Sequence, residues 1–263
     1  ADVVLAVGAT AFHYFAGFGG GPKLLFPGLG ARDSIAANHR RALGPWPPGG
    51  LAPGVAPGRL AGNPVAEDLA AAAALLPAAT HLTSIGPFAS VVWRERAEFV
   101  ALSELFADGR RLGAARTHAV VVASAGGHPR DIDVVQAHKA LFHAALYAAD
   151  GAHIVLAADC PEGSGSAAFE RWLAVPDPAR REEQARAAYD LNAQTAISLA
   201  AIAARCRVTW VGDGAPPVLE TLGIARVSVR DGAAAVVRAL EAAGPGARGA
   251  FLPVATDVVP AAA

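Results

Sequence analysis

Methionine is absent from the 263 residues, cysteine occurs twice, at Cys160 and Cys206, and lysine twice, at Lys23 and Lys139. Two distant cysteines cannot build a disulfide framework or the paired spacing of a zinc site. They point to a reducing compartment, so the expected location is the cytoplasm. An excess of one charge is missing too. With 22 Lys plus Arg against 23 Asp plus Glu the formal net charge is −1, so no global basic field draws nucleic acid or an acidic membrane surface. Apolar runs stay short. The longest, around residues 69–76 and 196–204, reach about half a bilayer span and are closed by Pro77 and Arg205, which speaks against a transmembrane helix. No nucleic-acid or membrane partner is therefore expected. What is present is 53% hydrophobic residues, largely Ala, and only 17% charged, enough to bury roughly 70–75% of the unfolded surface and to exclude a disordered chain.

Residues 3–7, Val-Val-Leu-Ala-Val, read as a buried strand, residues 17–21 as a glycine-rich loop, and residues 33–43 as a helix. The Pro- and Gly-rich stretch 44–58 has too little side chain for a core and reads as an extended surface loop. A second helix is predicted over 64–76, with Asn63 as N-cap, Pro64 at its first position and Pro77 at its end. Residues from there to about Asp108 give no clear pattern. From His118 onward, apolar runs at 118–124, 153–158, 208–211, 227–229 and 250–254 alternate with helical stretches. Those helices are predicted at 132–149, 167–173, 178–205 with a break, 216–222 and 232–243. This alternation is the βαβα signature of a parallel sheet. The polar patch at residues 107–111 divides the chain. The expected fold class is α/β, with two α/β domains. Residues 1–108 are the remainder of an N-terminal domain, incomplete because the chain opens within a strand, and 109–263 form a doubly wound, mostly parallel C-terminal domain.

A chain that uses Arg wherever a charge suffices draws attention to its two lysines, because an amine forms covalent bonds that guanidinium cannot. Lys23 closes the segment His13-Tyr14-Phe15-Ala16-Gly17-Phe18-Gly19-Gly20-Gly21-Pro22-Lys23, whose small residues let backbone approach a ligand closely. No Gly-Lys-Ser/Thr follows, so it is not a P-loop, and Pro22 stands where a dinucleotide fingerprint needs its third glycine. His13 and His39 flank Lys23 in sequence. With no HxxxH or CxxC pair beside them, a metal bound here must complete its shell with something other than protein. Lys139 lies on a helix after Gly126-Gly127-His128-Pro129-Arg130-Asp131-Ile132-Asp133, at the strand-to-helix edge where ligands bind in open α/β sheets. Gln136, Lys139 and His143 are spaced as a polar stripe on that helix, and Cys160-Pro161-Glu162-Gly163-Ser164-Gly165 follows the next strand at the same edge.

These segments resemble the nickel-dependent lactate racemase family. The resemblance is carried by the His13 to Lys23 segment, Pro27-Gly28, Asn38-His39, Gly62-Asn63-Pro64-Val65, Ser124 to Pro129, Asp131-Ile132-Asp133, Gln136 with Lys139, and Ala158 to Gly163, in the family's order. It implies a nickel-pincer nucleotide, a modified pyridinium mononucleotide joined to a lysine through a thioamide. Lys23 matches the anchoring lysine, His39 the protein ligand to nickel, and His13 one of two histidines that exchange a proton with the substrate hydroxyl. Gln136 and Lys139 match residues that hold substrate. The implied reaction is racemisation or epimerisation of a 2-hydroxy acid by reversible hydride transfer, and the implied partners are that small-molecule substrate and the enzymes of cofactor synthesis. The family's second acid/base histidine finds no counterpart here. The chain is therefore expected to be a fragment that does not racemise alone. The competing readings are an epimerase of another hydroxy or sugar acid and a non-catalytic nucleotide- or nickel-binding protein.

Overall fold

The computed structural model describes residues 3–76, 79–86 and 89–261, in two compact units, Ala1–Arg111 and Leu112–Ala263.

In the first unit β1 (Leu5–Ala9) leads to a small antiparallel hairpin of β2 (Ala11–His13) and β3 (Gly17–Gly19). The glycine segment expected as a loop is thus partly strand. Three short helices follow, α1 (Pro22–Leu25), α2 (Arg32–Arg40) and α3 (Pro64–Ala73). Asn63 caps α3 as predicted, accepting from Val65 N and Ala66 N, whereas Pro77 lies outside the described residues. The Pro- and Gly-rich stretch is not simply extended. It folds back through an isolated bridge between Leu43 and Leu51 and buries Val55. The stretch without a clear pattern holds β4 (Thr80–Ser84), β5 (Ser90–Trp93) and α4 (Arg96–Ala107). Strands β1 and β4 pair in parallel, and β5 adds antiparallel to β4.

The second unit is a five-stranded, all-parallel sheet in the order β10-β6-β7-β8-β9, with β6 (His118–Ser124), β7 (Ala148–Ala157), β8 (Arg207–Val211), β9 (Ala225–Val227) and β10 (Gly249–Leu252). The β-branched runs alternate their side chains between two faces, as a pleated strand must. One row, with Val121, Ala123, Ile154, Leu156, Val208 and Trp210, packs under α5 (Val134–Tyr147), α6 (Ala167–Leu173) and α8 (Ala193–Arg205). The other, with Val120, Val155 and Val211, packs under α9 (Gly232–Ala243). Helices on both faces of a parallel sheet make the unit doubly wound, as expected. The predicted helical break falls between α7 (Pro178–Ala187) and α8. The strand expected at 227–229 sits two residues earlier, because Gly223 turns the chain after a 3-10 helix (Pro217–Leu222) and Ser228 caps the next.

Candidate functional site

Phe15 is the hub of the first unit's site. It sits in the turn between β2 and β3, 4% exposed, and three candidate residues gather on its ring. The His13 imidazole meets it edge-on at 4.6 Å, His39 meets it edge-on at 4.9 Å, and Lys23 Nζ lies 5.6 Å from its centroid. The backbone explains this convergence. Gly17 adopts φ +78°, and a Cβ there would stand 2.1 Å from the Arg59 carbonyl, so only glycine lets the hairpin close against the 58–63 segment. Asn63 then fastens the turn, its Nδ2 donating to the carbonyls of Phe15 at 3.0 Å and Arg59 at 3.1 Å while its Oδ1 caps α3. Gly21, whose added Cβ would enter the Phe99 ring, leads into Pro22 at the start of α1 and so sets Lys23 on the helix that follows.

His13 Nε2 lies 3.4 Å from Lys23 Nζ, and its Nδ1 accepts from the Ala16 N–H at 3.2 Å. The Ala16 N–H favours the tautomer protonated on Nε2, whereas the Lys23 ammonium, which can only donate, favours the one protonated on Nδ1. His39 closes α2, which Asn38 ties to α3 through bonds to the Val65 carbonyl and the Asp68 carboxylate. Burial first, and then the Lys23 charge, push the His39 imidazole down to about 4, so it is neutral at physiological pH. Its Nε2 is shut off from solvent and has no hydrogen-bond partner among the described residues. A neutral ring nitrogen is what a metal ligand needs to be, and since His81 and His153 also hold a buried ring nitrogen with no hydrogen-bond partner among the described residues, it is the company of Lys23 and His13 that singles out His39. Among the described residues no cluster of three or more His, Cys, Asp or Glu could hold a metal ion. His39 could give such an ion one ligand. The pocket beside Lys23, lined by Phe18, Leu69 and Phe99, holds about 20 Å³, too little for more than one water.

In the second unit the loops after β6 and β7 are laced together by three backbone bonds. Cys160 N donates to the Asp131 carbonyl, Glu162 N to that of Ile132, and Val134 N to that of Gly163, at 2.9 Å each. Asp133 caps α5, accepting from the Gln136 N–H at 2.7 Å. Lys139 Nζ donates to Gln136 Oε1 at 2.5 Å. Burial pulls the Lys139 ammonium below the usual lysine range, and the Asp133 charge opposes that pull. Gln136 and Lys139 are thus brought together at the carboxyl edge of a parallel sheet, where such folds bind ligands. His143, expected on the same polar stripe, is not part of it. It is fully buried, with Nδ1 donating to the Val258 carbonyl at 2.9 Å, and His138 is buried against Ser198 Oγ at 3.0 Å. The stripe reading failed because the sheet, α8 and residues 255–258 enclose position 143, while 136 and 139 stay half-buried. Phe15 and Asp133 were the residues sequence reasoning undervalued. The adjacency of Phe15 to His13, and of Asp133 to the start of a predicted helix, was the available signal.

The frame and its side chains define an α/β protein with an amine-and-imidazole site on a glycine hairpin and an amide–ammonium pair at a sheet edge. Residues 1–46 match the lactate racemase N-terminal domain and residues 114–244 the lactate racemase C-terminal domain. The chain belongs to the lactate racemase family. It is 29% identical over 179 residues to a lactate racemase of Thermoanaerobacterium thermosaccharolyticum, aligning 66% of this chain with 40% of that protein. It is 28% identical over 194 residues to a lactate racemase of Lactiplantibacillus plantarum, 70% of this chain and 43% of the relative. The matched region thus spans less than half of either relative. In fold it resembles the apoprotein of the Thermoanaerobacterium thermosaccharolyticum lactate racemase, with a TM-score of 0.82 at 22% identity over 98% of this chain and 63% of that one. A crystal structure of a Thermotoga maritima protein follows with a TM-score of 0.63 at 11% identity, covering 97% and 66% of the two chains.

Proposed function

We propose that this chain carries the cofactor-anchoring and substrate-holding residues of a 2-hydroxy-acid racemase or epimerase of the lactate racemase type. The observation that carries the reading is the buried, neutral and partnerless His39 Nε2, gathered with Lys23 and His13 around one phenyl ring. A nickel-pincer nucleotide would be held covalently by Lys23 and ligated through His39, and when bound it supplies the electrophilic sink for the substrate's α-hydrogen that no side chain provides.

The chain's own residues do the rest. Lys139 offers an ammonium, and Gln136 an amide, to the carboxylate of a 2-hydroxy acid. His13 exchanges the hydroxyl proton through Nε2, its nitrogen turned toward Lys23. Taking up a proton at Nε2 requires the tautomer protonated on Nδ1, so the Ala16 N–H contact opens in the working ring. His39, held uncharged by burial, keeps its lone pair free for the metal. His13 is the one proton-exchanging histidine in this assignment, and the 263 residues alone are expected not to racemise. Cys160 and Cys206, both buried and unbridged, accord with the cytoplasm as its compartment. No helix of the described residues is long and apolar enough to cross a membrane.

The test is intact-mass and peptide-mapping spectrometry on protein coexpressed with enzymes that synthesise the cofactor. A nickel-containing nucleotide adduct on the Lys23 peptide, absent in Lys23→Ala, is expected. His39→Ala should keep the organic adduct and lose its nickel. An unmodified Lys23 beside a working synthesis system would overturn the proposal in favour of non-catalytic binding.

A further inference from the structure

Lys139 ends in three N–H donors, and the structure gives it one hydrogen bond, to Gln136 Oε1. Burial works against its charge, and the Asp133 carboxylate works for it. Arg130 and Asp257 pair with each other at 3.4 Å. His138, one residue away, is neutral and bound to Ser198. Asp133 is the carboxylate whose charge favours the Lys139 ammonium, and its place is set from two sides. Its Oδ1 takes the Gln136 N–H, fixing the first turn of α5, and its carboxylate stands against Gly165, where an added Cβ would come within 2.3 Å of Asp133 Cγ. Gly165 is in turn carried by the loop after β7, which is laced to the loop before α5.

We propose that Asp133, wedged between the first turn of α5 and Gly165, is a positioning residue that sets Gln136 and Lys139 as one receptor for a carboxylate. It touches no reacting atom. It works through the helix start, which aims Gln136, and through its charge across the turn, which favours an ammonium at position 139. The inference rests on the functional reading only for the identity of the anion.

With two lysines in the chain, a sample labelled with 13C-lysine gives two Cε signals, and their pH titration reads Lys139 with Lys23 as internal control. Asparagine caps helices as well as aspartate does, so Asp133→Asn removes the charge and keeps the cap. The expected result is a lower titration midpoint at Lys139 and an unmoved Lys23. Gly165→Ala, which leaves the carboxylate but displaces it, should lower the same midpoint, and it carries the test if Asp133→Asn does not fold. A folded variant with both midpoints unchanged would reduce Asp133 to a helix cap and overturn the proposal. The measurement uses no cofactor. An unmodified Lys23 in the loading experiment therefore removes the functional reading and leaves this result standing.

Discussion

The same residue type sits in two different settings in the two units. His39 in the first and His138 and His143 in the second are all pushed down by burial, to about 4, about 3 and about 4. Burial alone therefore does not mark a functional histidine. What separates them is the surroundings. His138 and His143 are bonded to Ser198 and to the Val258 carbonyl inside a core built mainly of alanine, leucine and β-branched side chains. The His39 ring instead meets Phe15, the same ring that His13 and Lys23 approach. A depressed histidine thus occurs in two settings, a packed core in the second unit and a meeting of amine and imidazoles on one phenyl ring in the first.

Acidification gives the largest effect on this contrast. A histidine whose folded value is depressed binds protons more readily when unfolded, so its contribution to stability is complete above the unfolded value near 6.5. It is lost as pH falls from there through the folded values of about 3 to 4. Urea midpoints between about pH 7.5 and about pH 4.5, with hydrogen exchange assigning the change, should show the second unit giving way across that window. A second unit as stable at the acid end as at the neutral end would break the comparison.

Trp210→Ala comes next. The indole is fully buried in the main core and donates to the Ala158 carbonyl at 2.9 Å, so its removal leaves a cavity and an unpaired acceptor. A loss of about 3–5 kcal/mol in chemical denaturation is expected. Asn63→Ala should cost about 2 kcal/mol, through the lost cap of α3 and the orphaned carbonyls of Phe15 and Arg59. It should also loosen the turn that carries Phe15. The ring signals of His13 and His39 would then shift together in NMR spectra, whereas Trp210→Ala would leave both in place.

Legibility in the sequence follows the same division. The second unit could be read because its strands are continuous apolar runs rich in β-branched residues, as a sheet covered on both faces requires, and its helices α6 and α9 fall on the predicted residues. The first resisted because β3 is Gly-Phe-Gly, a strand by pairing and not by propensity, and because α4 starts on Glu95, an unusual cap whose partner is Glu98. The chemistry-bearing residues stood out regardless. Lys23, His13 and His39 are conspicuous by type and neighbourhood, whereas the hub role of Phe15 and the grip of Asn63 on its carbonyl exist only once residues 48 positions apart have met. His143 misled for a related reason, since helical spacing gives a stripe but does not say how much of the helix the fold will cover.

The smallest expected effect sharpens the comparison from the other side. Register across β1, β4 and β5 aligns Val7, Leu82 and Val92 on one face of the small sheet, with Val7 and Val92 each 62% exposed. The next row, Ala6, His81 and Trp93, is buried, His81 stacked on the indole of Trp93 at 3.9 Å. Val92→Thr keeps the β-branched shape and removes almost no buried apolar area, so it should change stability by no more than about 0.5 kcal/mol. Conservative changes on the buried row should cost several times that. If Val92→Thr instead costs more than about 1 kcal/mol, that face is covered in the folded protein, and the first unit owes more of its stability to apolar burial than its polar ties suggest.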